Sequence, residues 1–85
     1  MAEPTVVCVA RVRGWVQGVG FRWWARGQFE RLGLTGSVSN LVDGSVEVVA
    51  RGDAEAIESL LAAIRGPHAP GSVDSVDVDR STEPR

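Results

Sequence analysis

The first third of the chain changes from a two-residue hydrophobic period to a helical one. Residues 6–13 alternate between apolar and mixed positions, which predicts a strand with one buried face. From Phe21 to Gly33 the apolar residues recur at the spacing of an amphipathic helix, with Gly33 as its C-terminal cap. The residues predicted to face the core are Val6, Cys8, Ala10 and Val12 on the strand, and Phe21, Ala25, Phe29 and Leu32 on the helix.

The next two apolar segments predict a β-hairpin. Residues 36–42 and 45–51 are short and strand-like, and Asp43-Gly44 lies between them. An Asp-Gly pair between two such segments is typical of a type I′ turn, in which both central residues have positive φ. We therefore expect a two-residue turn at this position.

A second helix and a last strand complete the pattern. Asp53 is placed to cap a helix whose buried stripe contains Ile57, Leu61 and Ile64, and Gly66-Pro67 ends it. Beyond that point Val76 and Val78 alternate with aspartates, which indicates a strand.

The order βαββαβ predicts a ferredoxin-like α/β (α+β) sandwich, in which a four-stranded antiparallel sheet carries both helices on one face. Its 85 residues suffice for a single domain, 1–85. We expect an ordered core over about 5–79 and a mobile tail over 80–85. In this topology the third strand lies between the first and second, so the first two strands run parallel.

Composition and charge narrow the function classes. Residues 1–31 hold five arginines against two acids, whereas residues 53–85 hold three arginines against seven acids. A positive end on an acidic body suits a small anion better than a nucleic acid, which needs a broad basic face. A single cysteine, Cys8, excludes an intrachain disulfide, and no segment has the pattern of a membrane span or a signal peptide. We therefore expect a cytoplasmic protein.

The segment from Arg13 to Arg22 predicts an anion-binding loop. It joins a strand to a helix and contains Gly18 and Gly20 just before the helix begins. Backbone N–H groups of such a loop, the positive end of the helix dipole and the guanidinium of Arg22 suit a phosphate group. Taken alone, the two glycines are better explained by an ordinary tight turn.

Asn40 is expected at the same place. It lies late in the second strand and shares parity with Val38, a predicted core residue. It should project beside the anion-binding loop, where its amide oxygen can accept a proton of a water molecule while a neighbour holds its NH₂ group. The anion-binding loop and the amide that orients water would then lie next to each other.

Together these residues resemble the signature of the acylphosphatase family. The resemblance is carried by Gly14-x-Val16-Gln17-Gly18-Val19-Gly20-Phe21-Arg22, by Gly33-Leu34-x-Gly36, by Asn40 and by Asp43-Gly44-x-Val46-Glu47. It implies hydrolysis of small acyl phosphates to a carboxylate and inorganic phosphate, without a metal or cofactor, by a monomer.

The resemblance also implies a role for each site residue. The phosphate is bound by the backbone of residues 17–22, namely Gln17, Gly18, Val19, Gly20, Phe21 and Arg22, together with the Arg22 side chain. Asn40 positions the attacking water. Among the tryptophans, Trp15 adjoins the loop and is the better candidate to contact substrate, whereas Trp23 is expected to pack at the surface.

Two alternatives from other classes stay open. A non-catalytic domain that binds phosphate or another anion could use the same fold and loop. A module that binds single-stranded RNA also has the βαββαβ order, but it stacks bases on aromatic residues of its first and third strands. Residues 6–13 and 45–51 contain no aromatic residue, so we expect no nucleic-acid partner.

Overall fold

A computed structural model of the chain describes residues 4–83. The element order confirms the predicted βαββαβ arrangement. The elements are β1 (Thr5–Trp15), α1 (Phe21–Leu32), β2 (Thr35–Asn40), β3 (Val46–Gly52), α2 (Ala54–Arg65) and β4 (Ser72–Glu83).

The four strands form one antiparallel sheet in the order β2-β3-β1-β4. In the middle of the sheet Cys8 of β1 lies opposite Ala50 of β3 on one side and Arg80 of β4 on the other. As predicted, β3 separates β1 from β2, so β1 and β2 run parallel. Their C-terminal ends therefore meet at the edge of the sheet where α1 begins.

The core lies between the sheet and the two helices. Alternate residues of β1, namely Cys8, Ala10 and Val12, are fully buried on the helix side. The stripe of α2 is buried as predicted, and Leu60 joins it. Burying each such leucine or isoleucine contributes about 1.5–3 kcal/mol. α1 packs over β2, while α2 packs over the other three strands, and this leaves the N-terminus of α1 at the rim of the core.

The turn between β2 and β3 differs from the prediction. No non-glycine residue of the described chain has a positive φ, so Asp43 cannot occupy a type I′ turn. Instead the Gly44 N–H donates to the Leu41 carbonyl at 3.1 Å, and the Leu41 N–H donates to the Ser45 carbonyl at 2.8 Å. This is the longer hairpin loop in which a residue with positive φ, here Gly44, follows the turn.

The last strand is longer than the sequence indicated. β4 continues to Glu83, which lies opposite Thr5 of β1. The expected mobile tail is therefore wrong for residues 80–83, which are part of the sheet, and residues 84–85 lie outside the described residues. Backbone pairing to β1 orders this edge strand, and polar side chains such as Ser81 and Thr82 carry no hydrophobic period that would have revealed it.

Within residues 4–83, neither helix has the length and apolar character needed to cross a membrane.

Candidate active site

The loop between β1 and α1 is built around two glycines with left-handed backbone. Gly18 has φ 74°, and Gly20, the residue that caps α1, has φ 84° and ψ 12°. Residues with a Cβ rarely adopt these angles, so the path of the loop depends on glycine at both positions. The chain can therefore turn sharply from the end of β1 into the first turn of α1.

This turn leaves the first amides of α1 without protein acceptors. The helical hydrogen bonds begin with the Trp24 N–H donating to the Gly20 carbonyl at 3.0 Å. No side chain caps the helix, and its first turn contains no acidic residue. Among residues 4–83, no acceptor receives a hydrogen bond from the amides of residues 18–23. These N–H groups and the helix dipole make a positive site that suits an anion.

A cavity of about 260 Å³ opens at this helix end, and we call it the α1 cavity. Its lining residues are Val16, Gly18, Gly20, Phe21, Arg22, Trp23, Arg26 and Asn40. Two of them are arginines and none is acidic. Among residues 4–83, no carboxylate lies within salt-bridge distance of Arg22 or Arg26. Their charge is therefore available to a ligand.

Asn40 reaches the α1 cavity from β2, as the parity argument predicted. It is the last residue of the strand and lies opposite Val46, two residues beyond the buried Val38. Its amide is exposed, and no hydrogen bond joins it to another described side chain. The expectation that a neighbour holds the NH₂ group is thus wrong for the described residues. Both ends of the amide are free to bind a ligand or water.

The Gln17 side chain connects the loop to the hairpin that carries Asn40. Its Nε2 donates to the Leu41 carbonyl at 2.8 Å and to the Ser45 carbonyl at 2.9 Å. Leu41 directly follows Asn40, so these bonds fix the distance between the loop and the amide. The sequence predicts a role for the Gln17 backbone alone, because no spacing rule links a glutamine side chain to a turn 24 residues away.

Val19, another predicted site residue, also turns its side chain away from the α1 cavity. It is half-buried against the core and contacts the chain at Gly71. Of the six predicted phosphate-binding residues, Gly18, Gly20, Phe21 and Arg22 line the cavity, while Gln17 and Val19 do not. The side chains of Gln17 and Val19 instead hold the loop in place, Gln17 through its hydrogen bonds to the hairpin and Val19 through packing against the core.

The hairpin is held in turn by Asp43 and Ser45. The Ser45 N–H and hydroxyl both donate to Asp43 Oδ1, at 2.9 Å and 2.5 Å. These hydrogen bonds hold the pKa of the Asp43 carboxyl below its ordinary value, with a smaller contribution from Arg13. Ser45 is the buried polar residue of the described chain, and all its polar groups have partners.

The tryptophan that lines the α1 cavity is Trp23 and not Trp15, which differs from the prediction. Trp15 is 69% exposed at the end of β1, opposite Ser72, and does not line the cavity. Trp23 is 81% exposed and does line it. Adjacency in sequence suggested Trp15, but the chain turns away after it. Trp23 follows Arg22 on the helix and precedes Arg26 by three residues, a spacing that places Trp23 and Arg26 on one face.

The remaining reactive side chains lie elsewhere. Cys8 is buried in the core, and burial raises the pKa of its thiol, as expected for a structural cysteine. His68 is exposed in the loop after α2. In the described part of the chain no three His, Cys, Asp or Glu side chains are grouped so that they could hold a metal ion.

Comparisons with solved structures agree with this fold. The acylphosphatase of Bacillus subtilis has a TM-score of 0.80 and 34% identity, covering 89% of this chain and 84% of that one. The acylphosphatase of Coxiella burnetii has a TM-score of 0.80 and 35% identity, covering 96% and 86%. Full-length HypF has a TM-score of 0.86 at 24% identity, but the match covers 11% of it and shows the fold alone.

Sequence comparisons give the same family. An acylphosphatase of Thermobifida fusca is 59% identical over 76 residues, which cover 89% of this chain and 82% of the relative. An acylphosphatase of Mycobacterium tuberculosis is 49% identical over 85 residues, covering 98% and 91%. The sequence model of the acylphosphatase family matches residues 8–85. Because the family model, the sequence relatives and the fold all agree over most of its length, the chain belongs to the acylphosphatase family.

Proposed function

We propose that this protein hydrolyses the carboxyl–phosphate bond of small acyl phosphates in the α1 cavity. One observation carries the proposal: free backbone amides, two arginines without carboxylate partners and an exposed asparagine amide all border one cavity. Family membership supports it, since the relatives compared above are named acylphosphatases.

In this proposal the phosphate group is bound at the N-terminus of α1. The amides of residues 18–22 donate to its oxygens, and the guanidinium of Arg22 donates two parallel hydrogen bonds. The transferring phosphoryl group spreads charge over its three equatorial oxygens in the transition state. Donors fixed by the glycine loop stabilise that charge without having to reorient.

The nucleophile is water, and Asn40 positions it. The amide oxygen accepts one proton of the water, which points its lone pair at phosphorus opposite the acyl oxygen. As the new P–O bond forms, the bond to the acyl oxygen breaks and the carboxylate leaves with the electron pair. Among residues 4–83, no Asp, Glu or His lines the cavity, so we assign the proton of the water to a phosphate oxygen of the substrate.

The chemistry needs neither a strong acid nor a metal. A carboxylate is a good leaving group and departs without protonation. In the described part of the chain, no carboxylate, imidazole or thiol lines the α1 cavity, and these are the usual ligands of catalytic metals. Hydrolysis is therefore proposed to proceed in excess EDTA.

The proposal is tested by phosphate release from benzoyl phosphate with EDTA present, in the wild type and in Asn40→Ala. We expect turnover by the wild type and a fall in kcat of about 100- to 1000-fold in the variant, because positioning and charge stabilisation each contribute on that scale. Inorganic phosphate should inhibit both proteins with similar constants, since Asn40 is assigned to water and not to phosphate.

The matched control is Ser39→Ala, which changes the neighbouring residue on the opposite face of β2, across from Glu47. It should leave kcat within about twofold of the wild type. A wild type that binds phosphate but releases none would overturn the hydrolase proposal in favour of an anion-binding domain. Loss of phosphate affinity in Asn40→Ala with kcat retained would overturn the role of Asn40.

A further inference from the structure

We propose that the exposed face of α1 beside the α1 cavity binds the acyl group of the substrate, and that it favours a planar, uncharged acyl group stacked on Trp23. This inference rests on the proposed function for the place of the phosphate. It adds a substrate class and a binding site for the other half of the molecule.

A second cavity adjoins the first along the helix. It measures about 260 Å³ and is lined by Trp23, Trp24, Arg26, Gly27 and Glu30. We call it the acyl cavity. Trp23 and Arg26 line both cavities, so the two lie side by side along α1. A substrate with its phosphate at the start of α1 can therefore extend its acyl group along the helix and past the Trp23 indole.

Gly27 lines the acyl cavity and has no side chain to occupy it. It lies in the interior of α1, where glycine is unfavourable, and its φ is not among the positive values. A Cβ at this position would meet no atom within 4 Å, so packing does not demand glycine either. Because Gly27 is four residues after Trp23, its missing side chain leaves open space directly beside the indole.

Trp23 offers the surface that an aromatic group would bind. It is 81% exposed, and among residues 4–83 its ring contacts no other aromatic ring, whereas Trp24 packs on Phe21 with centroids 5.5 Å apart. Offset stacking of a second planar group on a free indole is favourable, and it removes apolar surface from water. A two-carbon acyl group is too short to cover the ring.

The charges of the acyl cavity favour a neutral acyl group. Arg26 and Glu30 both line the acyl cavity and contribute one charge of each sign. A second anionic group on the acyl end would gain from Arg26 but would be repelled by Glu30. An uncharged ring is not repelled by Glu30 and also stacks on Trp23, so the preference should run from aromatic to short aliphatic to anionic acyl groups.

Two substitutions test the site by opposite means, Trp23→Ala by removing the stacking surface and Gly27→Gln by filling the space beside it. In each, the ratio of kcat/KM for benzoyl phosphate over acetyl phosphate should fall about five- to tenfold, the range expected for one aromatic contact. The matched control is Trp15→Ala, which removes an equally large exposed indole outside both cavities. Its ratio should stay within twofold of the wild type.

A binding measurement makes the test independent of turnover. The probes are phenacylphosphonate and acetonylphosphonate, analogues of the two substrates with a methylene in place of the bridging oxygen. Calorimetry should give the wild type at least fivefold higher affinity for the phenacyl compound, and Trp23→Ala should lose that difference. Equal affinities in the wild type, or a difference that survives in Trp23→Ala, would overturn the acyl site. Selective binding without any hydrolysis would retain the acyl site and contradict the proposed function instead.

Discussion

Two cavities of similar size on this molecule each contain two arginines, and they differ in what surrounds the arginines. The α1 cavity has Arg22 and Arg26 beside free amides and no acid. The other, on the open face of the sheet, measures about 230 Å³ and holds Arg11 and Arg13 among three acidic residues, namely Glu47, Asp77 and Asp79. We call it the sheet cavity.

In the sheet cavity the positive charge is already neutralised. The Nε of Arg13 donates to Asp77 at 3.2 Å, and one of its terminal nitrogens lies 3.7 Å from Asp43. Arg11 lies opposite Glu47 on β3 and Asp77 on β4. Such exposed pairs contribute little to stability, but they compete with an incoming anion. Uncompensated charge next to unpaired amides, and not the number of arginines, therefore distinguishes the anion site.

The largest difference between the cavities should appear on replacing one arginine in each by lysine. Arg22→Lys retains the charge but loses the two parallel hydrogen bonds of the guanidinium. We expect kcat/KM for benzoyl phosphate to fall about 100-fold and the inhibition constant of inorganic phosphate to rise about tenfold. Arg11→Lys should change both by less than twofold. Equal effects at the two positions would contradict the comparison.

A smaller effect should follow when the loop is disconnected from the hairpin. Gln17→Leu removes the donor shared by the Leu41 and Ser45 carbonyls and leaves Arg22 in place. Asn40 would lose its fixed distance from the phosphate, so we expect kcat to fall about tenfold with little change in phosphate inhibition. Unfolding in urea should show a loss of about 1–2 kcal/mol. A loss of stability with an unchanged kcat would assign Gln17 a purely structural role.

The smallest effect concerns the glycine that caps α1. Gly20→Ala places a Cβ on a left-handed residue and should lower the free energy of unfolding by about 1 kcal/mol, although no atom obstructs the new methyl group. The matched control is Gly27→Ala, in the same helix but without a positive φ, which should raise it by about 0.5–1 kcal/mol. Chemical denaturation of both variants checks the signs. Two changes of the same sign would contradict the strain assigned to Gly20.

The parts that the sequence predicted are those governed by local rules. Asn40 was correctly placed beside Arg22. The alternation of side chains along β2 fixes the face on which Asn40 lies, and the strand order fixes the edge of the sheet at which β2 ends. The fold followed from the same two rules. Gly18 and Gly20 were identified because left-handed backbone restricts the residue type.

The parts that could not be predicted depend on contacts between distant residues. The turn at Asp43 was assigned from a dipeptide preference, but the Ser45 hydrogen bonds and the Gln17 amide stabilise a longer loop. The end of β4 is set by backbone pairing with β1. Sequence distance favoured Trp15 over Trp23, because it does not show the direction in which a turn leaves a strand.

The central claim is that a phosphate dianion binds at the free amides of α1 and not at the arginines of the sheet. It is tested most directly by titrating ¹⁵N-labelled protein with inorganic phosphate and following the backbone amides by NMR. The account predicts saturable shifts centred on residues 18–23, with residues 9–13 and 77–79 nearly unchanged. Shifts centred on residues 9–13 and 77–79, or no saturable shift at residues 18–23, would contradict it.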